Sequence, residues 1–288
     1  MKAHYRILRR VVHVVLILPF LWAISQRAYS QPMPAEKAGA AAQKSESQEQ
    51  EQEQARTILM RMAEFLGSAQ AFSVTMRCGY DTVQASGQKI EFGEVRKIIA
   101  SRPDRLRVES ERSDGSKTLT VLTGKEIRLI DFADNVFATG AQPGGLDDTV
   151  VHLVRDLHVR FPLAMLLLSR LPAEFNERVR AIDYVEKTNI QGIPSYHLAA
   201  RGNTVDFQVW VADGNQPVPV RVVLTYKNEP GQPQFWAQLS DWNFAPKLAD
   251  DTFSARVPDG ATRIAFAAEV PTVPPGVRKV SPAKGGKK

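Results

Sequence analysis

The chain of 288 residues has a single cysteine, Cys78, so it can form no internal disulfide and its core alone must hold the fold. Cys78 occupies an apolar position of an alternating strand pattern and reads as a small buried hydrophobe rather than a reactive thiol. It also lies far from the N-terminal segment, so it is not the lipid-bearing cysteine of a bacterial lipoprotein. The common catalytic signatures are absent as well: there is no G-x-S-x-G elbow, H-E-x-x-H pair, P-loop or dinucleotide fingerprint. Beyond the first thirty residues only three histidines remain, His152, His158 and His197. His152 and His158 are six positions apart and point in different directions on a helix, which does not suit a paired metal site. Asp147, Asp148 and His152 can share one helical face, but acids in a first helical turn already have a dipole explanation. His197 falls on the polar side of its strand, where a solvent-facing role is expected. No metal, cofactor or catalytic residue is therefore assigned, and a hydrolase with an unrecognised site is kept only as an alternative.

Acidic residues are missing from both ends of the sequence. Residues 1–30 carry Lys2, Arg6, Arg9, Arg10 and Arg27 with no Asp or Glu. A basic start, an apolar run over residues 11–24 broken only by His13 and Pro19, and Ala28-Tyr29-Ser30 together read as a cleavable secretory signal, with a mature start near Gln31. The alternative is an uncleaved anchor, but a spanning helix wants roughly 20 apolar residues and this run is shorter. Without that segment 32 basic and 31 acidic side chains remain, so the high pI of the whole chain is partly a targeting effect. Residues 271–288 hold Arg278, Lys279, Lys284, Lys287 and Lys288 and no acid. The part between is close to neutral and shows no basic face, which excludes a nucleic-acid partner.

Three further regions differ in composition. Residues 31–54 are rich in Gln, Glu, Ala, Ser and Lys and read as a disordered linker. Residues 271–288, with Pro, Gly and Lys and no periodicity, read as a basic disordered tail. One domain is expected over residues 55–270. It opens with a helix, since Ile58, Leu59, Met62, Phe65 and Leu66 recur at helical spacing before Gly67. Phe72, Val74, Met76, Cys78 and Tyr80 then alternate with polar residues, the clearest strand signal in the chain. Further strands are expected at 88–101, 105–111, 118–123 and 126–131, an antiparallel meander because the turns are short. Leu146, Val150, Leu153, Val154 and Leu157 fit one helical face. The run from Phe161 to Leu168 is apolar all round, so it either plugs a core or lies across a cavity. Strands resume at 181–187, 196–201, 205–211, 220–226 and 234–241, for about ten in all, with 253–257 and 263–266 as the last candidates.

At this point a resemblance enters. Phe207-Gln208-Val209-Trp210-Val211, Asp213-Gly214, Pro217-Val218-Pro219, Leu224-Thr225-Tyr226-Lys227 and Gly231-Gln232-Pro233-Gln234-Phe235 resemble segments of an uncharacterised family of predicted periplasmic proteins. Asp241-Trp242-Asn243-Phe244, Phe253-Ser254-Ala255 and Val257-Pro258-Asp259-Gly260-Ala261 are similar to the last strands of the wider lipoprotein-carrier superfamily of LolA-like, LolB-like and RseB-like proteins. Arg102-Pro103-Asp104-Arg105-Leu106-Arg107 and Tyr196-His197-Leu198 match other family segments. The likeness covers nearly all of residues 55–266.

That resemblance implies an α+β, mainly antiparallel fold: a curved half-open β-barrel with helices on its concave side. It implies a periplasmic protein holding a lipid or the acyl chains of a lipoprotein, as carrier or chaperone. An envelope sensor or adaptor bound to a membrane-protein partner is the alternative, and a monomer is expected. The apolar strand faces Phe72, Val74 and Met76, Phe92, Leu119 and Val121, and Phe207 and Val209 are the candidate cavity walls. Read from the residues alone, the same faces are an ordinary packed core. Met165, Leu166, Leu167 and Leu168 are the candidate lid, with a plain core helix as the other reading. Trp210 and Trp236 fall on the polar-alternating faces of their strands and form either an exposed contact patch or packing beneath helices or loops.

Overall fold

The structure is a computed structural model that describes residues 35–266, with side chains from residue 46 onward. The signal-like segment and the basic tail lie outside the described residues. The chain divides into two units at residues 44 and 45, and the β domain belongs to the second together with the packed part of the first helix.

Helix α1 (Ala35–Ser68) runs back through most of the stretch read as a linker. Ala, Gln, Glu and Lys are strong helix formers, so the composition that buries nothing still permits a helix. From 46 to 54 every side chain is exposed. Packing begins at Ala55, and Ile58, Leu59, Met62, Ala63 and Leu66 follow at three- and four-residue steps, all buried. Gly67, in the last turn of the helix, lies close against a neighbour: a Cβ there would meet the Ser169 carbonyl oxygen at 2.5 Å.

Twelve strands form one sheet, a curved half-open barrel. In chain order they are β1 (Ala71–Val83), β2 (Lys89–Ser101), β3 (Arg105–Arg112), β4 (Lys117–Thr123), β5 (Glu126–Asp131), β6 (Val136–Ala141), β7 (Ala181–Ile190), β8 (Ile193–Arg201), β9 (Val205–Ala212), β10 (Pro219–Tyr226), β11 (Gln234–Asn243) and β12 (Thr262–Arg263). The spatial order is β12-β6-β5-β4-β3-β2-β1-β11-β10-β9-β8-β7. Every pair is antiparallel except the short β12–β6 contact. The sheet is thus two meanders joined at β1 and β11. The chain begins mid-sheet, walks to one side, crosses to the far edge and walks back.

That crossing decides the architecture. Ten strand spacings separate β6 from β7, about 48 Å if laid flat. Residues 142–180 span it and carry α2 (Leu146–Val151), a π-helical turn (His152–Asp156), a 3-10 turn (Ala164–Leu167) and α3 (Leu171–Arg178). Together with α1 they cover the apolar face of the sheet, giving a single large core that includes Phe72, Leu106, Leu122, Leu198, Val209 and Phe235.

A second, smaller core lies on the opposite, convex face, where Phe253 and Ala255 cover Leu119, Val121 and Ile130. Residues 253–257, expected as a strand, form no strand here but an extended cover over that patch. Strand β6, with its small Ala138 and Gly140, gave no alternating signal and was not anticipated.

Candidate functional site

Cross-strand register sorts the side chains of the sheet into two faces. Cys78, Glu94 and Arg112 stand in one row across β1, β2 and β3, and Met76, Arg96 and Ser110 in the next. These rows continue the apolar face of Phe72 and Val74, so charged groups replace hydrophobes where the helices stop covering the sheet. There an open cavity of about 850 Å³ lies between the concave face and the 153–162 segment. Val108, Leu129, Ala138 and Phe235 line it from the sheet, Leu153, Leu157 and Phe161 from the crossing segment, and Phe266 from the end of the described chain.

The covering segment has an unusual backbone. The Leu157 amide donates to the His152 carbonyl at 2.9 Å, a five-residue step. This wider turn moves Val154 off the buried face. Val154 is 43% exposed at the cavity, while Leu146, Val150, Leu153 and Leu157, which share its helical stripe in the sequence, stay buried. His158 and Leu163 then take positive φ values of 55° and 62°, conformations that cost a non-glycine residue energy. Residues 159–162 form a strap between these two bends. Its Phe161 ring lies 5.8 Å from the Arg96 guanidinium, a cation–π contact that ties strap to sheet.

Arg96 is held in turn by Glu94 through two bonds of 3.0 Å, with both side chains almost covered. Burial works against the Glu94 carboxylate. The Arg96 guanidinium, with help from Ser110 and Arg112, outweighs it and holds the carboxyl below its usual range. The result is a charged pair of fixed geometry on the wall of a cavity that Asp81, Arg112, Asp131, Arg160 and Glu229 also line beside its apolar residues. Nearby, burial pushes the Cys78 thiol up to about 11, so it remains protonated and inert at neutral pH.

A second polar cluster fixes the crossing segment to the sheet. Arg102 donates to the Ala69 carbonyl at 3.0 Å, the Leu167 carbonyl at 2.9 Å and Asp147 at 3.2 Å. Asp147 also accepts from the Ser169 amide at 3.0 Å and its hydroxyl at 2.7 Å. Partial burial disfavours the Asp147 carboxylate, but these Ser169 bonds and the Arg102 charge prevail and lower its pKa. Asp147, expected to serve the helix dipole, therefore joins α2 to Ser169, and Arg102 extends that link to the end of α1 and the 3-10 turn.

The candidate walls are distributed differently from the expectation. Phe72, Val74 and Met76 are buried in the main core with the α1 face. Phe207 stacks on Phe175 of α3 at 5.7 Å, and Val209 is buried beside it in the same core. Leu119 and Val121 face the convex cluster, because their register places Thr118, Thr120 and Leu122 on the concave side. Phe92 is 43% exposed and stacks on the cavity-lining Tyr80. Of these eight, only Leu119 borders the cavity. Among the candidate lid residues Leu166, Leu167 and Leu168 are buried and Met165 is half-buried, plugging the core rather than bordering the cavity. The physical reason is that α1, α3 and the 3-10 turn fill the concave space over those strands, and the open cavity lies beside the strap. Arg96 and Glu94 carry a charged break in the apolar alternation of β2, which is the one signal in the sequence that marks the cavity.

Trp210 and Trp236 lie neither beneath a helix nor in an exposed patch. Trp210 stacks on His197 at 4.0 Å, and Arg221 lies 5.6 Å from both indoles. The Trp236 Nε1 donates to Glu91 at 3.0 Å, next to Gly79, where a Cβ would crowd that nitrogen at 2.7 Å. This ladder stiffens the convex face across six strands, from β8 to β2. His197, expected to face solvent, has a side chain only 12% exposed. Among the described residues no group of His, Cys, Asp and Glu is placed to hold a metal ion.

Sheet order, concave helices and an open cavity define a half-barrel protein of mainly antiparallel β structure. The chain belongs to the DUF2092 family of predicted periplasmic proteins, whose model matches residues 55–267. Among the described residues no helix is long and apolar enough to cross a membrane. Solved structures similar to it include an uncharacterised conserved protein from Thermus thermophilus (13% identity, 74% of this chain and 99% of that one, TM-score 0.43). Lipoprotein LppX from Mycobacterium tuberculosis is similar at 11% identity over 67% of this chain and 97% of that one, TM-score 0.42. A LolA superfamily protein from Nitrosomonas europaea is similar at 12% identity over 70% of this chain and 97% of that one, TM-score 0.35. Among curated proteins none matches the chain.

Proposed function

We propose that the protein binds one amphiphile, an envelope lipid or the acyl chains of a lipoprotein, in the cavity under the strap and carries it through the periplasm. The cavity itself is the supporting observation. Its volume of about 850 Å³ falls within the roughly 300–1,000 Å³ usual for small-molecule sites. Its walls combine hydrocarbon surface from Val108, Leu129 and Phe235 with the Glu94–Arg96 pair. Such a site suits a molecule that is mostly hydrocarbon with a polar end.

Native mass spectrometry on protein purified from the periplasm without detergent, followed by lipid extraction, tests this directly. A defined extra mass that extracts as lipid is expected. The Thr120→Trp variant, which fills the cavity from β4 without removing a core contact, should lose that mass while keeping the melting temperature of the parent. A clean mass for the parent protein sinks the carrier reading. It would shift weight to an adaptor that binds a protein partner.

A further inference from the structure

The charged groups that line the cavity divide into those already engaged and those left open. Asp81 accepts from the Gln234 amide at 2.9 Å and pairs with Lys89 at 3.8 Å. Asp131 accepts from the amides of Ala133 and Asp134 at 3.0 and 3.2 Å. Both Glu94 oxygens are occupied by Arg96. The exposed Arg160 and Glu229 stand near Tyr226, where their charges oppose each other. Three of the lining acids thus have fixed local partners, and the remaining one is offset by an arginine.

What is left open is a set of donors. The Arg96 guanidinium is planar and cannot accept a hydrogen bond. Its Nε–Nη2 edge is spent on Glu94, and the Phe161 ring covers one face at 5.8 Å. The remaining edge, Nη1, makes no hydrogen bond among the described residues and is not sealed off from the cavity, although the side chain is only 11% exposed. Arg112 stands directly opposite Glu94 in the register of β2 and β3, lines the same cavity and has no ion pair among the described residues. One carboxylate therefore serves two guanidiniums, and one positive charge is unbalanced. A buried ion pair holds a fold no better than hydrophobes of similar volume, so stability alone does not account for this fork on a cavity wall.

We propose that the polar end of the bound amphiphile is an oxyanion, a carboxylate or a phosphate, that accepts from Arg96 Nη1 and from the Arg112 guanidinium. The proposal rests on the amphiphile reading of the cavity. A guanidinium edge matches the oxygens of either group. A cationic end would meet donors of its own sign, and a neutral alcohol would leave the extra charge unanswered.

Displacement of a neutral apolar dye tests this, using protein purified from the periplasm and freed of bound lipid on a hydrophobic resin. The ligands share one tail and differ in the head: myristate, tetradecyl phosphate, tetradecanol and tetradecyltrimethylammonium, at about pH 8, where a carboxylate is ionised. At least one of the two anions should bind about tenfold or more tightly than the alcohol and the cation. The tighter of the two anions distinguishes a fatty-acid carboxylate from a phospholipid phosphate. Arg112→Gln should reduce that preference about fivefold or more, as should the paired Glu94→Gln, Arg96→Gln variant, which strands no charge. Tetradecanol binding should not change in either. Arg112 is exposed, so its variant keeps the test decisive should the paired one unfold. Arg256→Gln, in the convex cover and largely exposed, should change nothing. Alcohol binding as tight as that of both anions, tightest binding of the cation, or an undiminished anion preference in the folded variants overturns the oxyanion assignment and leaves the amphiphile reading standing. Failure of the dye and all four ligands to bind removes the amphiphile reading itself, and the proposal with it.

Discussion

Arg102 and Asp147 are single side chains on which three separate segments depend. Removing one partner leaves the other's bonds unmet, at a cost of about 1–3 kcal/mol for a largely covered group. Arg102→Leu should lower the urea midpoint without changing the slope of the transition. The pH dependence follows from the sign of the Asp147 shift. Its folded pKa is depressed, so its contribution is complete above the ordinary carboxylate value of about 4 and fades as pH falls below it. Asp147→Asn should therefore be less stable than the parent at pH 7, with the gap closing as the pH is taken down from about 4. A gap that is constant with pH would show that the carboxylate is not what matters. Gly67 is constrained by distance rather than by φ. Gly67→Ala forces a methyl group onto the Ser169 carbonyl and should cost about 1–3 kcal/mol in a thermal melt. The spacing of hydrophobes identified α1 but carried no information on that contact, because Ser169 lies about a hundred residues further along the chain.

At the scale of elements the strap and α1 behave differently. Leu59, Met62 and Leu66 are fully buried, and Leu59→Ala should destabilise the domain by about 2–5 kcal/mol. Leu167 in the 3-10 turn is likewise buried, so Leu167→Asp should unfold the protein rather than open a cavity, because a charge would be stranded in the core. The strap offers a milder perturbation. Phe161→Ala removes the contact with Arg96 and should speed release of a fluorescent fatty acid several-fold in stopped flow, with a modest loss of melting temperature, since a largely covered cation–π contact contributes about 2 kcal/mol. Period-two alternation identified β1, β9 and β10 because each buries one face. It missed β6 for want of large residues, and it read residues 253–257 as a strand because cover segments over a sheet also alternate. The π-helical turn left no trace in the hydrophobic pattern apart from Val154, which fits the helical stripe yet stands exposed.

The whole molecule is organised by the return of β11 to β1 and by the long crossing from β6 to β7. Short turns made the two meanders legible in advance, and the apolar crossing segment declared that it must be covered. Alternation also divided strands into an inner and an outer face, and the family resemblance anticipated a half-barrel with helices inside. None of this located the cavity. Local periodicity reports that a side chain is hidden, not whether helix or open space hides it, and Phe72, Val74 and Phe207 look the same in either case. Register decided that Leu119 and Val121 face the convex cluster, since a shift of one residue exchanges the faces of a strand. Sequence alone thus determined the class of fold, the elements with strong periodicity and the basic, acid-free composition of residues 271–288. The tertiary structure alone decided where the concave face stays uncovered, because that depends on how far each helix reaches across strands distant from it in the chain.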